Sequence, residues 1–228
     1  MSLITASASA LSDALAARIV DGRQVSEVFL VACGGSMVDL YPAKFFLATE
    51  TQGLRTDLYT ANEFAHAVPK ALGDNSVVIV CSHGGVTPEA VEATRIAQGR
   101  GALTITLTHN ESSEVAAFAD QNIVYEWGDE SKVQNNPMAI TLALCLEVLQ
   151  HAEGYAHYED FRAALQQIDD VVAAARDQVR DRTAAFAGAY QDADLFYVLS
   201  SGASFGHAYG FAICSLMEMQ WLNASVLK

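Results

Sequence analysis

Basic residues are scarce in this chain. Thirteen lysines and arginines stand against 27 aspartates and glutamates, a formal net charge of -14. That balance argues against nucleic-acid binding, which draws on basic surface. It leaves room for an anionic small molecule, because a helix N-terminus acts locally whatever the net charge. The only four cysteines, Cys33, Cys81, Cys145 and Cys214, are far apart, with no C-x-x-C pair and no clustered histidine. Zinc ligation is thereby disfavoured, and no metal is expected; buried thiols in a reducing compartment fit better. The longest late apolar run, Ala208 to Met217, has ten residues, where a bilayer span needs roughly twenty. The amino terminus, MSLITASASALSDALAARI, lacks a basic start and a long apolar centre, so it does not read as a secretion signal. A soluble, cytoplasmic protein is expected. Nucleotide fingerprints are also missing: no G-x-G-x-x-G follows a strand, and there is no G-x-x-x-x-G-K-[ST].

What is present is a hydrophobic composition of 51% over 228 residues, enough for a substantial core. The stretch Asn75 to Asn110 organises the rest. Val77 to Cys81 is a continuous apolar run, the mark of a strand buried on both faces. It ends in the loop Ser82-His83-Gly84-Gly85-Val86-Thr87. Pro88 and Glu89 then suit a first helical turn, Gly99 and Gly101 suit its end, and Ala102 to Thr108 reads as the next strand. A hydroxyl-rich turn there presents backbone N–H groups and side-chain donors to an anion. The same serine and threonine would equally serve as helix caps.

Earlier in the chain, Ser7 to Val20 has helical spacing, with Leu11, Leu15 and Ile19 on one face. Val28 to Cys33 is a second buried-strand candidate, again ending in a small-residue turn, Gly34-Gly35-Ser36. A helix from about Val38 to Ala48 follows, with Pro42 expected to delay its start. Leu54 to Thr60 reads as a strand, Ala61 to Ala67 as a short helix, Ser112 to Ala119 as a helix and Asn122 to Glu126 as a strand. Five strands separated by helices predict an α/β fold with a parallel, doubly wound sheet. Both small-residue turns then lie at the carboxyl edge, where such sheets bind ligands. Without a lysine, they suit one phosphate monoester better than a dinucleotide.

Pro137 to Ala152 is an apolar helix that should pack on the sheet or on a partner subunit. Tyr158 to Ala187 reads as one long connector helix ending near Gly188. Then Asp194 to Leu199 restarts the pattern as a strand, Ser200 to Ser204 is a small polar turn, and Phe205 to about Leu227 reads as a helix. These features predict a first domain over residues 1–153, a connector over 154–190 and the start of a second unit over 191–228. One strand and one helix cannot make a domain, so the second unit is expected to be incomplete.

The motifs C-G-G-S at Cys33 to Ser36 and S-H-G-G-V-T-P-E at Ser82 to Glu89 resemble the two phosphate loops of sugar isomerase (SIS) domain proteins. Tyr59 to Phe64, Asn136-Pro137-Met138 and Ser201 to Ser204 add to the resemblance, which covers essentially the whole chain. Within the family the chain is similar to the fructoselysine-6-phosphate and fructose-amino-acid-6-phosphate deglycases, and more distantly to the glucosamine-6-phosphate synthase isomerase domain. The resemblance implies a flavodoxin-like five-stranded sheet, no cofactor, and a dimer or larger with active sites at the subunit interface. It implies that Gly35, Ser36, Ser82, His83, Gly84, Gly85 and Thr87 form the phosphate site, with Ser201, Gly202, Ala203 and Ser204 lining the substrate. Gly84 stands where the family has serine. The family's catalytic glutamate matches Glu218, while its catalytic histidine would fall beyond Lys228. On the residues alone, Glu218 sits among Cys214, Ser215, Trp221 and Leu222 and should be partnered, face a cleft or emerge at the surface. The activity implied is deglycation of a ketosamine 6-phosphate. An aldose–ketose isomerase, an aminosugar-phosphate deaminase and a non-catalytic phosphosugar sensor are the alternatives.

Overall fold

The computed structural model describes residues 2–128 and 131–228. Helix α1 (Leu3–Val20) is capped by Ser2, whose hydroxyl accepts from the Thr5 N–H, and precedes strand β1 (Glu27–Ala32). Then follow α2 (Ser36–Glu50), β2 (Arg55–Thr60), α3 (Ala61–His66), β3 (Ser76–Cys81), α4 (Pro88–Gly99), β4 (Leu103–Thr108) and β5 (Gln121–Val124). The five strands are all parallel, in the order β2-β1-β3-β4-β5. Every residue of β1, β3 and β4 is buried, which is why Val28 to Ala32 and Val77 to Cys81 read as unbroken apolar runs, while β4 alternates buried threonines with aliphatics. Each face of the sheet carries its own core. On one side Val28, Leu30, Val77, Ile79, Ile105 and Leu107 pack with residues of α1, α2 and α5 (Pro137–Glu153). On the other, Phe29, Val31, Val78 and Val80 pack with Phe64 of α3 and the alanines of α4. The expected doubly wound sheet is thus present.

Several boundaries differ from the sequence reading. Helix α2 begins at Ser36 with Pro42 inside it. Proline removes one helical bond there, and the buried face of Leu40, Ala43, Phe46 and Leu47 offsets the loss. Only Val115–Phe118 of the expected Ser112–Ala119 helix forms, as a 3₁₀ turn anchored by buried Val115. Ile19 is exposed, while Leu11 and Leu15 of the same face are buried with Ile4. The single connector helix is two helices, α6 (Tyr158–Gln166) and α7 (Ile168–Tyr190), broken at Gln167, whose backbone leaves the helical region. Leu165 of α6 joins the core, whereas α7 buries none of its residues and runs on through Gly188. The amphipathic turn before the break packs on the domain and the charged helix after it turns to solvent.

The largest correction lies at the carboxyl-terminal end. Strand β6 (Leu195–Leu199) leads through a 3₁₀ turn, Gly202–Ser204, into α8 (Phe205–Gly210). From Phe211 to Met219 the chain continues as a π-helix, and Asn223–Leu227 forms strand β7, parallel to β6. The helix expected to reach Leu227 therefore stops. Leu222 donates its N–H back to the Leu216 carbonyl, and Trp221 takes a φ of 59° that reverses the chain. Strands β6 and β7 thus form a separate two-stranded sheet where a single strand was expected.

Candidate active site

Strands β1 and β3 are neighbours, with Ala32 opposite Cys81, so the loops that follow them leave the sheet side by side. Their helices then diverge, α2 to one face and α4 to the other. This is the switch point of a doubly wound sheet, where a crevice opens beyond the strand ends.

Helices α1, α3 and α5 carry side-chain caps, whereas α6, α7 and α8, like the two helices at the crevice, carry none. Ser2 caps α1 and Asn136 caps α5 by side-chain hydrogen bonds, and Thr60 forms a full capping box with Glu63 at α3. Neither Gly35 at α2 nor Thr87 at α4 makes a side-chain cap. The Thr87 hydroxyl instead accepts from Ser82 Oγ at 3.3 Å. Among the described residues, the N–H groups of Ser36, His83, Gly84 and Thr87 find no protein backbone partner. Two helix N-termini and the hydroxyls beside them are therefore placed for an anion. The capping alternative left open by the sequence does not hold for Thr87.

Ser36, Ser82, His83, Gly84 and Thr87 line one cavity of about 790 Å³, as does Gly35. Gly85 does not line it. Its φ of 67° turns the loop, its N–H donates to the Ser82 carbonyl, and its own carbonyl accepts from Val115. The turn Ser201–Ser204 stays outside too; Gly202 lies against Phe45 instead. Glu218 is on the cavity wall, carried there by the π-helix with Cys214 and Ser215. A side chain on Gly35 would reach within 3.7 Å of Cys214 Sγ, so the π-helix lies directly over the first loop. π-Helical turns are rare and concentrate at functional sites.

His83 has a defined place in the wall. Its Nδ1 shares a 2.8 Å hydrogen bond with Tyr125 Oη, its ring stacks on His109 at 5.2 Å, and Trp127 meets it edge-on at 4.9 Å. Burial, and then the His109 neighbour, push its pKa down, and burial pushes the Tyr125 phenol up. Both stay neutral near pH 7. Among the described residues no lysine or arginine lines the cavity, so an anion there would be held by neutral donors alone. No group of three or more histidines, cysteines or acids fit for a metal exists among the described residues.

Several lining residues escaped the sequence reading. His207 is exposed, lines the cavity and touches Met138 Sδ at 3.0 Å. Cys33 and Cys214 are half-buried in its wall, whereas Cys81 and Cys145 are fully buried; all four are free thiols. Asp39 lies in the first turn of α2 and also faces in. Burial raises its pKa from 3.8 to about 7. The available signal was spacing: three residues after Ser36 is the same face of a helix.

A parallel sheet in this order, with two helix N-termini opening on one cavity at its switch point, defines a doubly wound α/β protein. Residues 23–150 match the SIS domain, and the chain belongs to that family. It is 39% identical over 206 residues to the fructosamine deglycase FrlB of Bacillus subtilis (strain 168), covering 90% of this chain and 63% of the relative. It is 22% identical to the fructoselysine 6-phosphate deglycase of Escherichia coli (strain K12), covering 90% of this chain and 59% of that one. The chain thus spans about six-tenths of the length of these curated relatives. A solved structure from Salmonella typhimurium LT2, provisionally named a phosphosugar isomerase, superposes with a TM-score of 0.94 at 36% identity, over all of this chain and 68% of that one.

Proposed function

We propose that this chain is a phosphosugar-processing enzyme, a deglycase that splits a ketosamine 6-phosphate into glucose 6-phosphate and an amine or amino acid. The observation that carries the reading is the pair of uncapped N-termini, α2 and α4, facing one cavity that also holds Glu218. In this reading the phosphate sits on Gly35, Ser36, Ser82, His83, Gly84 and Thr87, with Gly85 shaping the loop. The deglycase names of its relatives supply the substrate class.

The sugar first opens to its linear ketone. Glu218 then takes the C1 proton, giving an enaminol, and returns a proton at C2 to give an imine. Water adds across the carbon–nitrogen double bond, releasing the amine and the aldose 6-phosphate. The aromatic wall of His83, Tyr125 and Trp127 is the place for the amine's substituent.

The test is release of free amine from a panel of ketosamine 6-phosphates, with hexose 6-phosphates run alongside. Amine release from at least one ketosamine phosphate is expected. Interconversion of aldose and ketose phosphates without amine release would favour an isomerase. Thermal stabilisation without either reaction would favour a sensor; a ligand at 100 times its Kd stabilises by ~2.7 kcal/mol.

We also infer a homodimer or larger assembly. Trp221 is 90% exposed and Met219 76%, both beside Glu218, which supports a subunit contact near the site. Sedimentation at micromolar concentration is the check, and a stable monomer would refute it. No helix among the described residues is long and apolar enough to cross a membrane. The acidic composition and four free thiols support a cytoplasmic protein that does not bind nucleic acid.

A further inference from the structure

Several carboxylates of this molecule are held by protein partners. Glu27 is held by Arg55, and Glu147 accepts from Tyr158 Oη at 2.7 Å. Glu153, at the far end of α5, accepts three backbone N–H groups. Asp39 has no such arrangement. Among the described residues it makes no hydrogen bond and no ion pair, so it does nothing visible for the fold. It is nonetheless half-buried, in the first turn of the helix that opens at Ser36, and it faces the cavity.

Its surroundings come from four elements. Cys81 at the end of β3, Tyr125 after β5 and Cys214 on the π-helix all lie close enough for the Asp39 charge to act on them. Glu218 and His207 share the same cavity. No lysine or arginine is available among the lining residues to compensate an ionised Asp39. A phosphate bound at Ser36 would stand beside it, and Glu218 would add another negative charge. Both like charges and enclosure favour the protonated carboxyl. The helix N-terminus favours the ionised form, and burial outweighs it. A cavity holding one proton-accepting and one protonated carboxyl is equipped for concerted acid–base work.

We propose that Asp39 is the catalytic acid partnering Glu218, an inference that rests on the deglycase reading above. As Glu218 removes the C1 proton, Asp39 gives its proton to the ketone oxygen at C2, leaving a neutral enaminol and an Asp39 carboxylate. As Glu218 returns its proton to C2, the carboxylate takes the proton from the amine nitrogen, and the imine forms. Both carboxyl groups end as they began, and one proton has moved from C1 to C2 while another has moved from nitrogen to the C2 oxygen. Water then adds as described.

The experiment compares the full-length protein with Asp39→Asn and Glu218→Gln. Fructose 6-phosphate affinity is measured by calorimetry, and amine release from a ketosamine 6-phosphate is followed against pH. The amide of Asp39→Asn keeps the shape of the carboxyl but cannot transfer a proton. The expected result is a nearly unchanged Kd, a rate lower by about 10²–10⁴-fold, and loss of a limb on which wild-type rate falls as pH rises through about 7. His83 and His207 titrate below their ordinary range and Cys81, Tyr125 and Cys214 above theirs, so none of them supplies that limb. A wild type that turns over beside an equally active Asp39→Asn overturns this proposal alone. A parallel loss of affinity and rate also overturns it, since that marks a structural role. A wild type that binds the sugar phosphate but releases no amine from any ketosamine overturns the deglycase reading and this one together.

Discussion

Gly85 and Ser113 approach so closely that a methyl group on Gly85 would fall 2.2 Å from Ser113 Cβ, and Gly85 holds a φ of 67° besides. Neighbouring Gly84 has neither restriction; its nearest contact would be Val86 Cγ2 at 3.8 Å. The two glycines therefore answer different tests. Gly85→Ala should lower stability by about 1–3 kcal/mol in urea unfolding and weaken fructose 6-phosphate binding with it. Gly84→Ser should leave the Tm unchanged and tighten phosphate binding, because it adds a hydroxyl where the SIS family carries one. Weaker binding in that variant would mean the backbone at 84 must itself approach the ligand.

The hydroxyls of Ser82 and Thr87 touch each other and line the cavity. Ser82→Ala and Thr87→Val should each reduce phosphosugar affinity by about 1–3 kcal/mol, the usual loss for a hydrogen bond to a charged group. Calorimetry with the unphosphorylated sugar should show almost no change. Equal losses for both ligands would reduce these residues to a role in loop shape.

Gly206 and Gly210 seat α8 against α2. A side chain on Gly206 would meet Tyr41 Cβ at 2.5 Å, and one on Gly210 would meet Val38 Cγ2 at 2.8 Å. Gly210→Ala should cost about 1–3 kcal/mol by overpacking. It should also lift the π-helix that bears Glu218, so turnover should fall further than phosphate affinity. Similar small losses in both would show that the π-helix tolerates the shift.

Asp39 also governs how stability varies with pH. Its folded pKa of about 7 lies above its ordinary value of 3.8, so its full stability is present below pH 3.8 and is lost as pH rises through 7. The ionised chain must then keep a charge in an enclosed site, at a cost of up to about 4 kcal/mol. Asp39→Asn should raise the Tm at pH 8 and leave it unchanged near pH 3.5, by differential scanning fluorimetry. A stabilising change that removes activity is the usual signature of a functional residue under strain. Equal Tm values at pH 8 would mean the carboxylate is well solvated.

The central sheet was legible because three of its strands are buried on both faces, leaving runs such as Val77 to Cys81 with no polar interruption. The two loops that line the cavity were legible because small polar residues follow those runs directly. The end of the chain was not. Asn223 to Leu227 is only partly buried and carries no strict alternation, so a helical reading from Phe205 onward met nothing to stop it. The stop is tertiary: pairing with β6 and the reversal at Trp221. Asp39 was overlooked because an acid in a first helical turn already has an ordinary explanation in the helix dipole. Its enclosure comes from Cys81, Tyr125 and Cys214, which are distant in sequence. Ser201 to Ser204 misled in the opposite way, since a loop of the right composition lies on the wrong side of α8.

Helix α2 gathers three duties into six residues: Ser36 opens onto the cavity at the helix N-terminus, Val38 and Tyr41 seat α8, and Asp39 enters the cavity. Such crowding leaves little freedom for change on that side. A substitution that improved the fit of a new sugar there would also re-aim Glu218 through α8. On the cavity wall beyond His83, Trp127 bears no comparable burden and is already 63% exposed. Descendants or engineered variants that accept different amines should therefore differ first at that wall, while the residues from Ser36 to Tyr41 stay as they are.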